Sequence, residues 1–239
     1  MSSEANSQVA GRSVSSGAEG REEDIFRRTD LSRHLAIFNG ERYPLKSVAP
    51  IALVTENVTI VRGRASEGYP FLEDTPPKIT VISMAPKEKP SVEIYDGVAT
   101  YTHAGRREMV VRIKVLLQAI VESKSDAVVL TAFGWGAKHP IEQVAVIFKE
   151  EIPNISSEMP FIVFAVPDEQ TEDIFKKALR KDSQSSPNRR IPGIWSIISC
   201  RCVARTRITV WNPYGRRYWS IFVSRTNRTQ RTTCADSGG

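Results

Sequence analysis

The sequence predicts an α/β domain in which helices pack on a largely parallel sheet. The first observation is an alternation, from residue 79 onward, of short apolar segments rich in β-branched residues with segments of helical periodicity. The second is a strand–glycine–helix pattern at residues 126–148, where the apolar run Ala127–Leu130 precedes Gly134-Trp135-Gly136. Successive parallel strands are joined by right-handed crossovers of this kind. At 239 residues the chain can hold one such domain and an extension.

The N-terminal third of the chain is less regular. Residues 1–20 are rich in Ser, Gly, Ala and Glu, a composition typical of disorder. Residues 22–35 can form a short polar helix with a sparse apolar face. Strand-like composition predicts strands at residues 58–62 and 79–84, and residues 87–102 are expected to be a long connection.

Residues 105–124 predict an amphipathic helix, with Arg112 among the residues of its polar face. The apolar run that follows is expected to be a strand buried on both faces. Pro140 then suits the first turn of a helix, because its missing N–H would lack a partner there. A further strand and a closing helix complete the domain, at residues 161–166 and 171–181.

Residues 183–239 differ in composition from residues 1–182. The whole chain has a net charge of +6, yet Ser183 to Ala235 contains ten arginines and no Asp or Glu. Three strand-like stretches interleave these arginines with Trp and Tyr, the ingredients of a single-stranded nucleic-acid surface. Folded surfaces normally mix both signs of charge, so we favour a disordered or wrongly read basic extension over a nucleic-acid module. A small appended hairpin is a further alternative.

The three cysteines, Cys200, Cys202 and Cys234, all lie in this extension. The absence of cysteine from residues 1–182 fits a reducing compartment, and Cys200 and Cys202 without a second Cys or His pair do not predict a zinc site. No stretch is apolar enough to span a bilayer, and the polar N-terminus lacks the apolar core of a signal peptide. We therefore expect a soluble cytoplasmic or nuclear protein with no membrane partner.

Two short motifs carry chemistry. Residues 134–136 lie between a predicted strand and a helix N-terminus, where glycine N–H groups and the helix dipole favour phosphate. From spacing alone, a tight structural turn explains these glycines better. Glu22 and Glu23 form the second motif, and on chemistry alone they complement the positive end of a helix.

Seen together, the motifs resemble a known family. Arg21-Glu22-Glu23 and the run Phe26-Arg27-Arg28-Thr29 stand where the microbial-type poly(ADP-ribose) glycohydrolases, a macrodomain-like family, have Gln-Glu-Glu and an apolar-Arg-Arg-Thr run. Further similar segments follow in the family's order between about Val9 and Lys181: residues 43–45, 58–62, 79–83, 128–140 and 161–166.

The resemblance implies a three-layer α/β/α macrodomain-like domain with a mixed sheet over residues 1–182, and an ADP-ribose cleft between two loops. Glu23 would be the general acid that protonates the leaving glycosidic oxygen, and Glu22 would orient the ribose hydroxyls. No metal or other cofactor is required by this scheme. The ligand-binding residues would come from both loops, namely Gly11, Ser13, Gly134, Trp135, Gly136 and Ala137.

This chain also departs from the family pattern. Gly11-Arg12-Ser13 keeps only the first glycine of a triplet. The family's Gly-Cys-Gly-Ala-Phe is Gly134-Trp135-Gly136-Ala137-Lys138 here, so Trp135 replaces a cysteine and Lys138 replaces an aromatic residue. Arg21 replaces the glutamine, and a cation beside Glu23 would favour the ionised carboxylate over the acid. Because the chain starts at Met1, the family's strand and Asn-containing turn before the triplet would be missing, which would truncate the domain at its N-terminus.

Three functions follow from these observations. The first is an ADP-ribosyl hydrolase acting on ADP-ribose polymer or ADP-ribosylated protein, with activity that the departures would impair. The second is a non-catalytic ADP-ribose reader. The third, and the least favoured, is a nucleic-acid or interaction protein that acts through the Arg-rich residues 183–239.

Overall fold

The structure is a computed structural model. It describes residues 1–11, 13–18, 20–36, 43–45, 49–72, 75–155 and 160–179, and the backbone of residues 195–199, 207–211 and 217–222. The strands are β1 (Ser2–Glu4), β2 (Ala52–Thr59), β3 (Lys78–Met84), β4 (Val92–Tyr95), β5 (Val98–Tyr101), β6 (Ala127–Thr131), β7 (Phe161–Val166), β8 (Trp195–Ser199), β9 (Arg207–Trp211) and β10 (Arg217–Phe222). The helices are α1 (Arg21–Arg28), α2 (Leu31–Ala36), α3 (His103–Glu122), α4 (Ile141–Ile155) and α5 (Glu169–Leu179).

The sheet is mixed and is built from two hydrogen-bonded blocks. In one block β3 pairs with β2 antiparallel and with β1 parallel. In the other, β6, β7 and β8 are parallel, and β9 and β10 continue antiparallel. The blocks meet where β1 lies beside β6, since the Ser2 hydroxyl donates to the Val129 carbonyl at 3.4 Å. The carboxyl ends of β1 and β6 therefore lie side by side.

Helices cover both faces of the sheet. The larger core joins one face to α3, α4 and α5 and includes Met84, Ile113, Leu130, Phe148 and Phe164. The smaller core joins the other face of β2 and β3 to α1 and α2. Neighbouring residues of β3 alternate between the two cores, as the period of two in a strand requires. The predicted α/β/α fold class is confirmed.

The N-terminal segment differs from the prediction. Residues 1–20 were expected to be disordered, and the strand and Asn-containing turn before the first loop were expected to be missing. Instead, β1 pairs with β3 from Ser2 opposite Ile82. A turn follows in which the Asn6 side-chain oxygen accepts from the N–H groups of Gln8 and Val9 at 2.9 and 3.0 Å. The polar composition of β1 is tolerated because the distant strand β3 supplies its backbone partners.

Strand β6 is half-buried, so the expectation that both of its faces are buried is wrong. Val128 and Leu130 belong to the larger core, whereas Val129 is 38% exposed. The reason is that α1 and α2 pack on β2 and β3, and they leave the second face of β6 open. Arg112 also differs from expectation, because it is buried at 3% exposure on α3 instead of lying on a solvent-facing side.

The secondary structure of two other segments differs from the prediction. The expected long connection at residues 87–102 holds a hairpin, β4–β5, whose turn residues Asp96 and Gly97 both have positive φ. The single helix predicted at residues 22–35 is two helices, separated at Thr29 and Asp30.

The strand-like stretches of the basic extension are the strands β8, β9 and β10, and β8 pairs with β7 from Trp195 opposite Ile162. The three cysteines lie outside the described residues, and the division of the chain at residue 183 stays a prediction. Within the described ranges, no helix combines the length and the hydropathy that crossing a bilayer demands.

Candidate active site

A cleft of about 590 Å³ opens at the carboxyl ends of β1 and β6. Ligands of α/β sheets bind at this edge, and typical ligand pockets have volumes of about 300–1,000 Å³. The first wall of the cleft is formed by residues 4–7 and 20–23, and the second wall by residues 135–137. Pro86 and Glu88 complete the lining.

The start of α1 positions both predicted catalytic carboxylates. Gly20 has an extended backbone and accepts the first helical hydrogen bond, from the Asp24 N–H at 2.8 Å. Acidic residues in the first turn and arginines in the last turn both suit the helix dipole. Ile25 points into the smaller core and fixes the rotation of the helix. Glu22 and Glu23 consequently reach the cleft from the N-terminal end of α1.

Glu22 uses both of its carboxylate oxygens to hold the loop after β1. One oxygen accepts the Asn6 N–H at 2.8 Å and the other accepts the Gly11 N–H at 3.1 Å. The residue is 4% exposed. Glu22 therefore shapes the first loop through its backbone.

Glu23 is also buried, at 5% exposure, yet within the described residues no donor bonds its carboxylate. It lines the cleft beside Gly20, and a side chain at Gly20 would collide with the Glu23 carboxylate. Gly20 was not predicted as a site residue, although a glycine just before Arg21-Glu22-Glu23 was a usable signal. The arrangement leaves Glu23 available to exchange a proton with a ligand in the cleft.

A third carboxylate, Glu4, reaches the cleft from the end of β1 and was not predicted. Its Oε1 accepts the Thr131 hydroxyl at 2.8 Å and the Arg21 guanidinium at 3.2 Å. Burial raises the pKa of Glu4, while Arg21, Thr131 and the Gly134 N–H oppose that rise. Glu4 thus connects β1 to β6, to α1 and to the second wall.

Arg21 pairs with Glu4 and not with the two carboxylates that follow it in sequence. Its guanidinium carbon also lies 5.9 Å from the centroid of the Trp135 ring, within the range of a cation–π contact. Arg21 was expected to act as a cation beside Glu22 and Glu23, and its ion-pair partner in the structure is Glu4. Two departures from the family pattern, Arg21 and Trp135, contact each other across the cleft.

The second wall is a tight turn of 3₁₀-helix at Trp135–Ala137. Gly134 has φ +87° and packs against the His139 ring, which a Cβ atom would approach to 2.6 Å. Trp135, Gly136 and Ala137 line the cavity, and Gly134 does not. The N–H groups of Trp135, Ala137, Lys138 and His139 all donate to carbonyl oxygens within residues 132–135. Gly136 lines the cleft, and its N–H has no acceptor among the described residues.

The predicted residues of the first loop, Gly11 and Ser13, lie outside the cavity lining. Gly11 has φ +70°, donates to Glu22 and packs against Phe26, whose ring leaves no room for a side chain. Ser13 precedes a 3₁₀ turn at Val14–Ser16. Neither Gly11 nor Ser13 lines the cavity, so their predicted ligand contacts stay predictions.

A buried histidine that was not predicted holds the second wall in place. His139 Nε2 lies 2.8 Å from the Lys87 carbonyl oxygen, and Nδ1 lies 2.6 Å from the Tyr101 hydroxyl. Because a carbonyl only accepts, Nε2 carries the proton and Nδ1 accepts from Tyr101. Burial lowers the pKa of His139, which favours this neutral form. The network connects the turn to the segment that contributes Pro86 and Glu88.

Solved structures with a similar fold exist, although no protein-family model and no curated protein sequence matches the chain. One is the poly(ADP-ribose) glycohydrolase of Deinococcus radiodurans in complex with ADP-ribose, with 19% identity, a TM-score of 0.57, and coverage of 75% of this chain and 72% of that chain. Another is the poly(ADP-ribose) glycohydrolase of Thermomonospora curvata bound to the inhibitor ADP-HPD, with 21% identity, a TM-score of 0.58, and coverage of 74% and 68%. The chain has the glycohydrolase fold.

Within this glycohydrolase fold, the structure brings together Glu22, Glu23, Trp135, Gly136 and Ala137 from the predicted set. It adds Glu4, Gly20 and Arg21 to the lining. In the described part of the chain, no group of His, Cys, Asp and Glu side chains is arranged to hold a metal ion.

Proposed function

We propose that the chain binds ADP-ribose in this cleft and hydrolyses the glycosidic bond that joins the ribose to a polymer or a protein. One observation carries the proposal: Glu23 is buried at the cleft, and no donor among the described residues bonds its carboxylate. Support also comes from the fold, since neighbours of the same fold were crystallised with ADP-ribose and with the inhibitor ADP-HPD.

In this proposal Glu23 acts first as an acid and then as a base. Protonated Glu23 gives its proton to the glycosidic oxygen as the bond from ribose C1 to that oxygen breaks, and the ribose passes through an oxocarbenium-like state. The resulting carboxylate then takes a proton from the water that attacks C1, which restores protonated Glu23. The products are free ADP-ribose and the released hydroxyl or carboxyl of the acceptor.

Glu22 takes a positioning role in the same proposal. Its carboxylate holds the N–H groups of Asn6 and Gly11, so it sets the backbone of the loop against which the ribose lies. The orientation of the ribose hydroxyls would then depend on Glu22 through the loop.

The direct test measures ADP-ribose release from a poly(ADP-ribosyl)ated substrate by the wild type and by Glu23→Gln. We expect a loss of at least about 100-fold, the usual size of a general acid–base contribution. Glu56→Gln is a matched control, because Glu56 is an exposed residue of β2 outside the cleft. Equal rates for the wild type and Glu23→Gln would contradict the catalytic role.

A non-catalytic ADP-ribose reader is the second candidate function. It is favoured by the two departures that meet at the cleft, Arg21 and Trp135. Binding of ADP-ribose by the wild type without any release of ADP-ribose from the polymer would support the reader.

Nucleic-acid binding through residues 183–239 stays a prediction. If it holds, binding to a single-stranded oligonucleotide should fall steeply with salt and disappear when these residues are deleted.

A further inference from the structure

The charge of the cleft is unusual for a site that takes a diphosphate. The lining contains four carboxylates, from Glu4, Glu22, Glu23 and Glu88, and Arg21 is the single cation among these lining residues. A ligand with two negative charges is repelled by such a lining unless it gains specific donors. This inference rests on the proposed function, because it takes ADP-ribose as the ligand.

Backbone donors on the second wall do not meet this need. The N–H groups of Trp135 and Ala137 donate within the turn, and the Gly134 N–H is directed to Glu4. Of this wall, only the Gly136 N–H is left for a ligand among the described contacts. Among the lining residues, Arg21 is the one cationic side chain that can neutralise a diphosphate, and the guanidinium fork suits phosphate oxygens.

The Arg21 guanidinium already has two partners within the protein. Its Nη1 lies 3.2 Å from Glu4 Oε1, and its guanidinium lies over the Trp135 ring. The two partners differ in freedom: the Glu4 side chain is 12% exposed and is also held by Thr131, whereas the Arg21 side chain is 35% exposed. When a competing anion enters, Arg21 is the partner that moves.

We propose that Glu4 is an internal competitor for Arg21, and that ligand binding transfers the Arg21 guanidinium from the Glu4 carboxylate to the diphosphate. Trp135 keeps the guanidinium at the wall in both positions. Glu4 and Arg21 are therefore affinity-determining residues. Until a ligand binds, the Glu4 carboxylate takes the place beside Arg21 that the diphosphate would take.

The transfer has a consequence for protons. Arg21 is the strongest opposing influence on the raised pKa of Glu4, so its departure leaves only Thr131 and the Gly134 N–H to favour the carboxylate. Binding then becomes tighter as the pH falls. Glu22, Glu23 and Glu88 line the same cavity, so the informative quantity is the difference in pH slope between the wild type and Glu4→Gln.

The experiment is a double-mutant cycle of ADP-ribose affinity, measured by titration calorimetry on the wild type, Glu4→Gln, Arg21→Gln and the double variant. We expect Glu4→Gln to bind about tenfold tighter and Arg21→Gln about tenfold weaker, the size of one charge-assisted hydrogen bond. In the Arg21→Gln background, Glu4→Gln should have little effect. The pH slope of the affinity should be smaller in Glu4→Gln than in the wild type.

Glu88→Gln is the matched control, because it also removes one carboxylate from the lining but bonds Ser7 and not Arg21. Equal gains from Glu4→Gln and Glu88→Gln would show a general charge effect and overturn the competition. Wild-type affinity in Arg21→Gln would overturn it as well. Arg21 lies partly at the surface, so this variant decides the question even if the buried Glu4→Gln fails to fold.

Failure of the inference is distinguishable from failure of the proposed function. ADP-ribose affinities that are measurable but unchanged by these substitutions contradict the inference alone. No binding by any of the proteins contradicts both.

Discussion

The two walls of the cleft use their backbone N–H groups in opposite ways. At the first wall, the carboxylate of Glu22 accepts the N–H of Asn6 and that of Gly11, which lies outside the lining. In the second wall, the N–H groups of the turn at Trp135–Ala137 mostly donate to the turn's own carbonyl oxygens, and His139 holds the turn from behind.

The difference indicates separate roles for the two walls, since the first provides the carboxylate of the proposed reaction and the second provides a surface held by its own hydrogen bonds. The first wall carries Glu23, the carboxylate that the proposed reaction needs, and its shape depends on Glu22. The second wall is self-contained, so it can present Trp135 and the Gly136 N–H without help from the first. Glu4 pairs with Arg21 of the same wall and bonds Thr131 at the end of β6, while Arg21 reaches Trp135 of the second wall. Loss of Glu23 from the first wall should therefore affect catalysis most, whereas a substitution at Gly134 beside the second wall should affect stability.

The largest effect is expected from loss of the Glu23 carboxyl. Glu23→Gln should reduce ADP-ribose release by about 100-fold or more, because an amide cannot act as the general acid. It should change ADP-ribose affinity little, because the amide fills the same space as the carboxyl group. Turnover and affinity measured on one preparation check this split. A parallel loss of affinity would instead assign Glu23 to ligand binding.

Loss of the Glu22 carboxylate should be the next largest effect. Glu22→Ala leaves the N–H groups of Asn6 and Gly11 without their acceptor, which should lower the free energy of unfolding by about 2 kcal/mol or more. Urea denaturation gives this value. Glu22→Gln keeps one acceptor oxygen and should lie between the wild type and Glu22→Ala; equal losses for the two variants would argue against the loop-holding role.

A methyl group at Gly134 tests the second wall. Gly134→Ala combines positive φ with a collision against the His139 ring and should cost about 2–3 kcal/mol. Gly17→Ala is the matched control, since Gly17 has φ +80° but open space around its Cβ position, and it should cost only about 1 kcal/mol. Thermal unfolding of both variants compares the two costs, and similar values would mean that the His139 contact is unimportant.

The smallest effect concerns the pH dependence of stability. Burial lowers the pKa of His139 in the folded protein, so its stabilising contribution is complete above the ordinary histidine pKa of about 6.5 and is lost as the pH falls below it. His139→Gln should therefore reduce the loss of stability between about pH 7 and pH 5. Urea denaturation at several pH values measures this. His103→Gln, at an exposed position of α3, should leave the wild-type slope in place.

Much of the fold follows from local patterns. Between residues 78 and 179, the strands and helices other than the β4–β5 hairpin were predicted, because their apolar residues recur at periods that report the buried face. Glu22, Glu23 and the glycines at 134 and 136 were predicted as site residues through the family resemblance, and the structure places Glu22, Glu23 and Gly136 at the cleft. Gly134 was predicted to bind the ligand, a role that stays a prediction; in the structure it packs against His139 and does not line the cavity.

The sequence by itself thus determined the order of the elements and the positions of the carboxylate pair and the glycine turn. Only the tertiary structure decided that Ser2–Glu4 is a strand, that Glu4 joins the cleft, and that His139 is a buried support. The physical reason is sequence separation. Glu4 and Thr131 are 127 positions apart, and their hydrogen bond exists only because β1 and β6 end at the same edge of the sheet. Local composition reports which residues can form a strand, whereas the partner that satisfies its backbone is supplied by distant parts of the chain.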